Sequence, residues 1–411
     1  MPIDGDDAGL LRLASAVFGG QPGEIGVAVS GGSDSVALLH LMAAAGARVQ
    51  AVTINHDLRS GAAEEAQFVA DLCDGIGVQH SVLVWDHGVV AGNLPDAARR
   101  ARYGLMAAWA AGHGIARVML GHTADDQAET VVMGLARGAG LDGLCGMRGF
   151  WVQGGVRFAR PLLGVTRADL RGYLVRAGVA WVDDPTNDDG QYQRVRVRRA
   201  MAVLQPLGIS VAGLGEVARN LAAARQGLVS GVAEAAARCV RETAGALIFD
   251  RAALMALPIE VNRRLLIAAL RWVSGAEYAP RADAVLRVQA AIAGARDATL
   301  WGCRVRMTET EIRVVREPRA VAAVVCGPDQ LWDSRWHLDG PTEPGLQVRA
   351  LCAEGLRACK DWRETGISRD TLIVSPAIWR GDVLVSAPLA GFSQGWTARI
   401  DAGFTSFIIS H

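Results

Sequence analysis

Three short polar stretches and a run of arginines hold the residues with chemistry to perform. The first stretch is Ser30-Gly31-Gly32-Ser33-Asp34-Ser35, set between the apolar segments 26–29 and 36–42. It reads as a buried strand, a glycine turn and a helix. Glycines let a backbone take conformations closed to other residues and come close to a ligand. The first amides of the following helix lack internal partners and carry partial positive charge, so the turn is a ready anion site. The hydroxyls of Ser30, Ser33 and Ser35 add donors. Asp34 does not belong beside a polyphosphate unless a cation lies between them, which points to Mg²⁺ held jointly by Asp34 and the phosphates. The plainer alternative is a helix-capping turn with Ser33 or Asp34 as N-cap.

The second stretch is residues 121–130, Gly-His-Thr-Ala-Asp-Asp-Gln-Ala-Glu-Thr. Asp125 and Asp126 open a helix, where its dipole favours acids. They also stand where a metal ion or an ammonium substrate could meet them. His122 follows a strand directly, placed to act as acid or base or to cap the helix. In the third, residues 93–103, Arg99 and Tyr103 lie four apart on one helix face. That face is either a solvated one or an arginine turned toward phosphates. Finally, six arginines and a single acid, Glu216, fall between Arg194 and Arg225. With Arg263, Arg264, Arg271 and Arg281 they are candidate phosphate contacts, weighed against ordinary surface charge.

The elements that must position these residues alternate. Strands are expected at 26–29, 48–54, 78–85, 118–120 and 158–163, and helices at 8–18, 33–42, 62–75, 94–112, 124–137 and 167–177. Such alternation implies an α/β fold with a doubly wound parallel sheet, whose ligands sit beyond the carboxyl ends of the strands. Residues 30–35, 55–59 and 121–126 all fall at such ends. Beyond residue 205 the pattern from 213 to 293 is helical, broken near Leu257-Pro258 and 278–280, and 299–315 alternates as a hairpin. The last ninety or so residues are richer in Trp, Val and Ile. Three parts are therefore expected: 1–205 catalytic, 206–318 mainly helical, and 319–411 small and β-rich.

Length and composition bound the rest. The 411 residues carry 42 basic and 42 acidic side chains, so no overall basic field advertises nucleic acid. Lys360 is the only lysine, which makes any phosphate contact a guanidinium one. No apolar run approaches the ~18 residues of a membrane span, and the acidic start lacks a secretory pattern; a soluble cytoplasmic protein without a membrane partner is the expectation. The seven cysteines form no Cys-x-x-Cys pair, against a metal knuckle or a disulfide framework. Cys352 and Cys359 are expected to be buried, and Trp332, Trp336, Trp362, Trp379 and Trp396 to pack in a core rather than stack on bases.

The string SGGSDS between strand and helix resembles the PP-loop of the ATP pyrophosphatases, which cleave ATP between its α- and β-phosphates and pass AMP to an oxygen of the acceptor. In order along the chain, SGGSDS, Asn55-His56-Asp57-Leu58-Arg59, Ala98-Arg99-Arg100-Ala101-Arg102-Tyr103, residues 121–130, Arg160-Pro161-Leu162-Leu163 and Asp184-Pro185-Thr186-Asn187 closely resemble the bacterial tRNA(Ile)-lysidine synthetase family over residues 25–200. Segments at 257–266 and 278–281 look like that family's middle, tRNA-binding domain. Asp57 replaces a more usual glycine, and Val195 stands where the family often has Asn.

The resemblance implies conversion of the wobble cytidine of the CAU-anticodon isoleucine tRNA to lysidine, with ATP, Mg²⁺ and free lysine consumed or bound and AMP and pyrophosphate released. It implies nucleotide contacts from Ser30, Gly31, Gly32, Ser33, Asp34, Ser35, Asn55 and His56, and metal contacts from Asp34 and Asp126. Catalytic roles fall to Asp34, Arg99, His122, Asp125 and Asp126, and tRNA contacts to Arg194, Arg196, Arg198, Arg263, Arg264 and Arg281. The lysine amine must attack as a free base, which at pH 7 costs about 4.6 kcal/mol from its ordinary pKa of ~10.4; Asp125, Asp126 or His122 would take the proton. A homodimer stays open, as do two other readings: a PP-loop tRNA thiolase, and a nucleotide-sensing module without turnover.

Overall fold

The computed structural model describes residues 7–17, 24–55, 62–85, 94–183, 191, 193–276 and 278–410. The chain divides into two compact units, Met1–Arg225 and Gln226–His411.

The first unit runs α1 (Asp7–Ala16), β1 (Glu24–Ala28), α2 (Ser33–Ala44), β2 (Arg48–Asn55), α3 (Ala62–Gly75), β3 (Gln79–Val84), α4 (Leu94–Gly112), β4 (Arg117–Leu120), α5 (Ala124–Ala136), α6 (Leu141–Leu144), β5 (Phe150–Gln153), β6 (Val156–Ala159), α7 (Arg167–Ala177) and α8 (Gln193–Leu204). The six strands form one sheet in the order β3-β2-β1-β4-β6-β5, parallel except for the β5–β6 hairpin. The expected doubly wound sheet is present. On one face α1, α2 and α7 bury Leu10, Leu38, Leu41, Met42, Leu170 and Leu174 against β1. On the other, Tyr103, Met106 and Trp109 of α4 pack on Val118 and Phe158. Helix α2 is apolar nearly all round because the sheet and its helical neighbours cover it. Its fully buried Val36, Leu38, Leu39, Leu41 and Met42 each contribute about 1.5–3 kcal/mol.

Two observations depart from the expected elements. The strand expected at 158–163 lies at Val156–Ala159, and a partner, β5, precedes it. Gly154 (φ 57°) and Gly155 (φ 76°) make the two-residue turn between them, a backbone that glycine adopts freely. Further along the chain the stretch expected to be helical from 213 to 293 is interrupted. Helix α9 (Val211–Cys239) is followed by a hairpin, β7 (Val240–Thr243) and β8 (Ala246–Asp250). Its turn uses Ala244 (φ 47°) with Gly245 (φ 76°). With alanine at its first position this turn lacks the Asn-Gly or Gly-Gly pair that usually marks a two-residue hairpin.

The second unit continues with α10 (Arg251–Met255), α11 (Ile259–Ser274), α12 (Ala282–Ala293), β9 (Ala298–Leu300), β10 (Cys303–Met307), β11 (Glu311–Arg316), α13 (Pro318–Val321), β12 (Trp336–Asp339), β13 (Leu346–Ala350), α14 (Cys352–Ala358), α15 (Arg369–Leu372), β14 (Pro376–Arg380), β15 (Val383–Ser386), β16 (Thr397–Ile400) and α16 (Phe404–Ser410). A five-stranded antiparallel sheet, β7-β8-β11-β10-β9, packs Leu247, Phe249, Val305, Ile312 and Val314 against α11 and α16. The strands after residue 335 form a pair, β12-β16, and a meander, β13-β14-β15. Trp332, Trp336, Trp379 and Trp396 are buried there as expected, while Trp362 is partly exposed. Cys359 is buried but Cys352 is exposed. Cys352 starts α14 with a φ of 58°, in a solvent-facing first turn.

Within this unit an ion network is closed off from water. Arg316 donates from Nε and Nη2 to the two carboxylate oxygens of Asp333, both at 2.8 Å, and from Nη1 to Gly302 O at 2.9 Å. Arg335 donates to Trp272 O at 3.1 Å and Gly245 O at 3.0 Å and lies over the Trp272 ring. Burial pulls the Arg335 pKa down to about 10, with Asp333 opposing.

Among the described residues no single helix is long and apolar enough to cross a membrane.

Candidate functional site

The sheet order puts β1 between β2 and β4, and the chain crosses from one side of β1 to the other. The turns leaving β1 and β4 therefore flank the crevice where such sheets bind ligands. Gly31, at φ 84°, makes the turn after β1, and Gly32 is the N-cap of α2 without a side-chain cap. The capping role considered for Ser33 or Asp34 is not theirs. Ser35 Oγ receives the amide of Ser30 at 3.1 Å and donates to Gly32 O at 3.0 Å, so it ties the loop to itself. Ser33 Oγ donates to Asp34 Oδ1 at 3.2 Å. The two turns touch through backbone: a Cβ on Gly121 would lie 2.9 Å from Asp34 O and Ser35 Cα. Asn55 ends β2 beside them. His56, with residues 57–59, lies outside the described residues.

The N-terminus of α5 is fixed by a capping box. Thr123 Oγ1 receives the Asp126 amide, and Asp126 Oδ2 receives the amide and hydroxyl of Thr123. The N-cap is thus Thr123 and not His122. Asp125 Oδ2 accepts the backbone N–H of Arg167 at 2.7 Å. Arg167 itself, which the sequence reading passed over, is where the acids meet. Its Nε donates to Asp34 Oδ2 at 2.9 Å, its Nη2 lies 3.6 Å from Asp126 Oδ1, and its Nη1 lies 4.0 Å from Glu129 Oε1. Burial raises the Asp34 pKa, Arg167 opposes it, and the neighbouring Asp126 charge raises it further.

Glu129 is the second group missed. It follows Asp126 by three residues, on the same helix face, and is 2 % exposed. Burial raises its pKa against the pull of Arg198. Arg198 Nε donates to its Oε1 at 3.0 Å, whereas Oε2 has no hydrogen bond among the described residues and its charged neighbour Arg194 stands 3.9 Å away.

On the far side of His122 lies a cluster of opposite sign. Arg160, 5 % exposed, donates from Nε to His122 Nδ1 at 3.2 Å, from Nη1 to Arg148 O at 2.7 Å and from Nη2 to Tyr103 Oη at 3.3 Å, with Trp151 stacked at 4.2 Å. All four partners are neutral groups. A guanidinium N–H can only donate, so Nδ1 carries the lone pair and the imidazole proton sits on Nε2. Burial, then the Arg160 charge, push the His122 pKa down to about 3. His122 is held as a neutral hydrogen-bond donor rather than a proton acceptor. Arg102 joins from α4 with a buried Nε that has no partner among the described residues, its guanidinium 5.2 Å from the Tyr103 ring centroid. Arg99, the arginine singled out from sequence, is more exposed and lies 5.6 Å from the same centroid.

The arginines expected to meet tRNA are dispersed. Arg194 and Arg198 lean toward Glu129; Arg196 is exposed and reaches Gln191 O at 3.4 Å. In the second unit Arg263 and Arg264 both pair with Glu260, at 2.6 and 2.8 Å, and Arg281 is exposed at the start of α12.

A parallel sheet with a glycine–serine loop at its switch point and acids facing that loop defines a PP-loop domain, and a family model for the PP-loop domain matches residues 11–204. Relatives narrow this class. The chain is 44% identical over 410 residues to the tRNA(Ile)-lysidine synthase of Ruegeria pomeroyi, covering 98% of each chain. It is 40% identical to that of Zymomonas mobilis subsp. mobilis, over 62% of this chain and 77% of the relative. To that of a Bradyrhizobium species it is 37% identical, over 72% and 90% respectively. The chain belongs to the tRNA(Ile)-lysidine synthase family.

Proposed function

We propose that this chain joins free lysine to the wobble cytidine of the CAU-anticodon isoleucine tRNA in the cytoplasm. The cytidine O2 attacks the α-phosphorus of ATP and pyrophosphate leaves; the lysine side-chain amine then attacks C2, its proton is taken up, and AMP leaves with the former O2. The observation that carries this reading is the pairing of the 30–35 loop with the acid cluster on Arg167, beside a cluster of cations, Arg160, Arg102 and Arg99, that has no acid partner among the described residues.

Residues 30–35 offer the amides and hydroxyls for the polyphosphate. Asp34 and Asp126 suit Mg²⁺: both are oxygen donors, burial and then the Asp126 charge raise the Asp34 pKa against the pull of Arg167, and Mg²⁺ commonly takes one or two carboxylates with substrate phosphates. No ready-made cage of three ligating side chains exists among the described residues, and that mode needs none. When bound, the ion would neutralise charge on the departing pyrophosphate. Asp125 fixes the backbone at Arg167. Glu129 has the buried, partly unpaired carboxylate best suited to receive the lysine ammonium and its proton, because a raised pKa brings a carboxylate closer to the working pH. His122 donates from Nε2 toward the crevice, and Arg102 and Arg99 supply positive charge where the phosphates or the adenylated oxygen gather negative charge.

The test is mass spectrometry of the wobble nucleoside after incubation of that tRNA with ATP and lysine. A gain of one lysine less one water is expected, with pyrophosphate release that requires tRNA and continues over many turnovers only when lysine is present. Release that requires a sulfur donor would favour a thiolase, and no release at all a sensor.

A further inference from the structure

The second face of the five-stranded sheet carries its own cluster of cations. Residues whose side chains alternate away from the α11 core lie in register across four strands: Arg241 opposes Ile248, Ile248 opposes Arg313, and Arg313 opposes Arg306. Three guanidiniums thus occupy one row, two of them directly opposite each other, an arrangement that destabilises a sheet unless negative charge comes between. The acids facing the row are few. Glu311 serves two arginines at once, with Oε1 3.4 Å from Arg241 and Oε2 2.8 Å from Arg313. Arg306 pairs with Asp297 at 2.5 Å and lies 3.7 Å from Asp370.

Over the Arg241–Arg313 half of this row the segment leading into α15 closes a cavity of about 190 Å³, lined by Arg241, Thr243, Ile248, Arg313, Ser368 and Thr371. Arg241 Nη1 donates to Thr243 Oγ1 at 3.2 Å, and the Ser368 and Thr371 hydroxyls are 3.0 Å apart. Two guanidiniums and three hydroxyls converge on a space whose remaining wall is aliphatic. Among the described residues no acid lines it; Glu311 reaches both arginines from beside the cavity.

The geometry points to a phosphoryl-binding site in this cavity, gripped by Arg241 and Arg313 and hydrogen-bonded by Thr243, Ser368 and Thr371. Guanidinium forks match phosphate oxygens in pairs, and the aliphatic wall suits an attached sugar. Two sources carry this chemistry. One is a backbone phosphate of the tRNA, which rests on the function proposed above; the other is free phosphate or pyrophosphate, which does not.

The experiment measures the affinity of the full chain for a CAU-anticodon isoleucine tRNA transcript at several salt concentrations, and for inorganic phosphate and pyrophosphate by calorimetry. The variants are Arg241→Gln, Arg313→Gln and Thr243→Val, the last keeping shape while removing only a hydroxyl. Arg287→Gln is the charge-matched control, an exposed arginine of α12 that pairs with Asp283 outside the cavity. For an RNA phosphate, each arginine variant weakens tRNA binding about five- to tenfold and flattens the salt dependence by about one phosphate; Thr243→Val weakens it about threefold, and the control changes neither. For the free anion, tRNA affinity is untouched, while wild type binds phosphate or pyrophosphate at one site that the arginine variants lose. The site is overturned if the arginine variants match the control toward tRNA and neither anion binds in a way that depends on them. A chain that ignores tRNA altogether would sink the proposed function, and the anion arm would still judge the cavity.

Discussion

The two units each contain an arginine–carboxylate network, and the networks differ in what they leave unfinished. In the second unit both oxygens of Asp333 are taken by a bidentate Arg316, and Arg335 donates to the carbonyls of Trp272 and Gly245 while its buried Nε, 3.9 Å from Asp333, has no hydrogen bond among the described residues. In the first, Arg167 gathers Asp34, Asp126 and Glu129 at 2.9, 3.6 and 4.0 Å, one good contact and two loose ones, and Glu129 keeps an oxygen without a hydrogen bond among the described residues. Charge density is therefore a poor guide to a site. What separates the two is the kind of group left short, an enclosed guanidinium N–H of Arg335 in the second unit and a carboxylate oxygen of Glu129 in the first, and only the latter can take up an ammonium ligand or its proton.

The same chemical change should separate the networks most sharply. Asp34→Asn is expected to lower pyrophosphate release by about a thousandfold, since a group aimed at the polyphosphate is removed. It should not lower thermal stability. Asp34 has its pKa raised in the fold, so the native state binds more protons than the unfolded chain above the ordinary carboxylate range, and its charge costs stability at neutral pH. Asp333→Asn should do the reverse, costing about 3–5 kcal/mol in denaturant unfolding by leaving buried guanidiniums uncompensated, with turnover per folded molecule preserved. A destabilised Asp34→Asn protein would erase the contrast.

A smaller effect tests the cationic side of the crevice. The folded pKa of His122, about 3, lies below its ordinary 6.5. In that window the unfolded chain binds the extra proton, so the stability due to neutral His122 is full above about 6.5 and is lost as the pH falls toward 3. His122→Gln should therefore flatten part of the acid limb of a stability–pH curve. Nitrogen chemical shifts of the wild type should report the Nε2–H tautomer throughout the neutral range; an Nδ1–H form would contradict the Arg160 hydrogen bond.

The smallest expected effects distinguish neighbouring arginines of α8. Arg196→Gln, at an exposed side chain, should reduce the salt dependence of tRNA binding by about one phosphate and leave turnover alone. Arg198→Gln, whose guanidinium is engaged by Glu129, should act on turnover and the lysine KM and leave the salt dependence nearly unchanged.

Much of the first unit was legible because its signals are local. Residues 62–75, 94–112 and 167–177 form helices at the expected bounds, and the glycine–serine loop and Asp125-Asp126 announce themselves by type and spacing. Arg167 was passed over, and Arg160 and Glu129 stood in quoted strings without a role, because their meaning lies in partners 133, 38 and 69 positions away along the chain. An arginine among many arginines carries no mark of burial. The β7–β8 hairpin escaped for a related reason: alanine-rich flanks look helical, and only the sheet it joins makes its alternation pay.

Gly121 has a consequence for how the site can move. With no room for even a methyl group between it and the backbone of Asp34 and Ser35, the strand end bearing His122 and the loop bearing Asp34 are locked as a single piece. Opening to admit a bulky polynucleotide, or to let spent products escape, must come from other parts of the chain, and amide exchange at 31–36 and 121–126 should slow or quicken in unison.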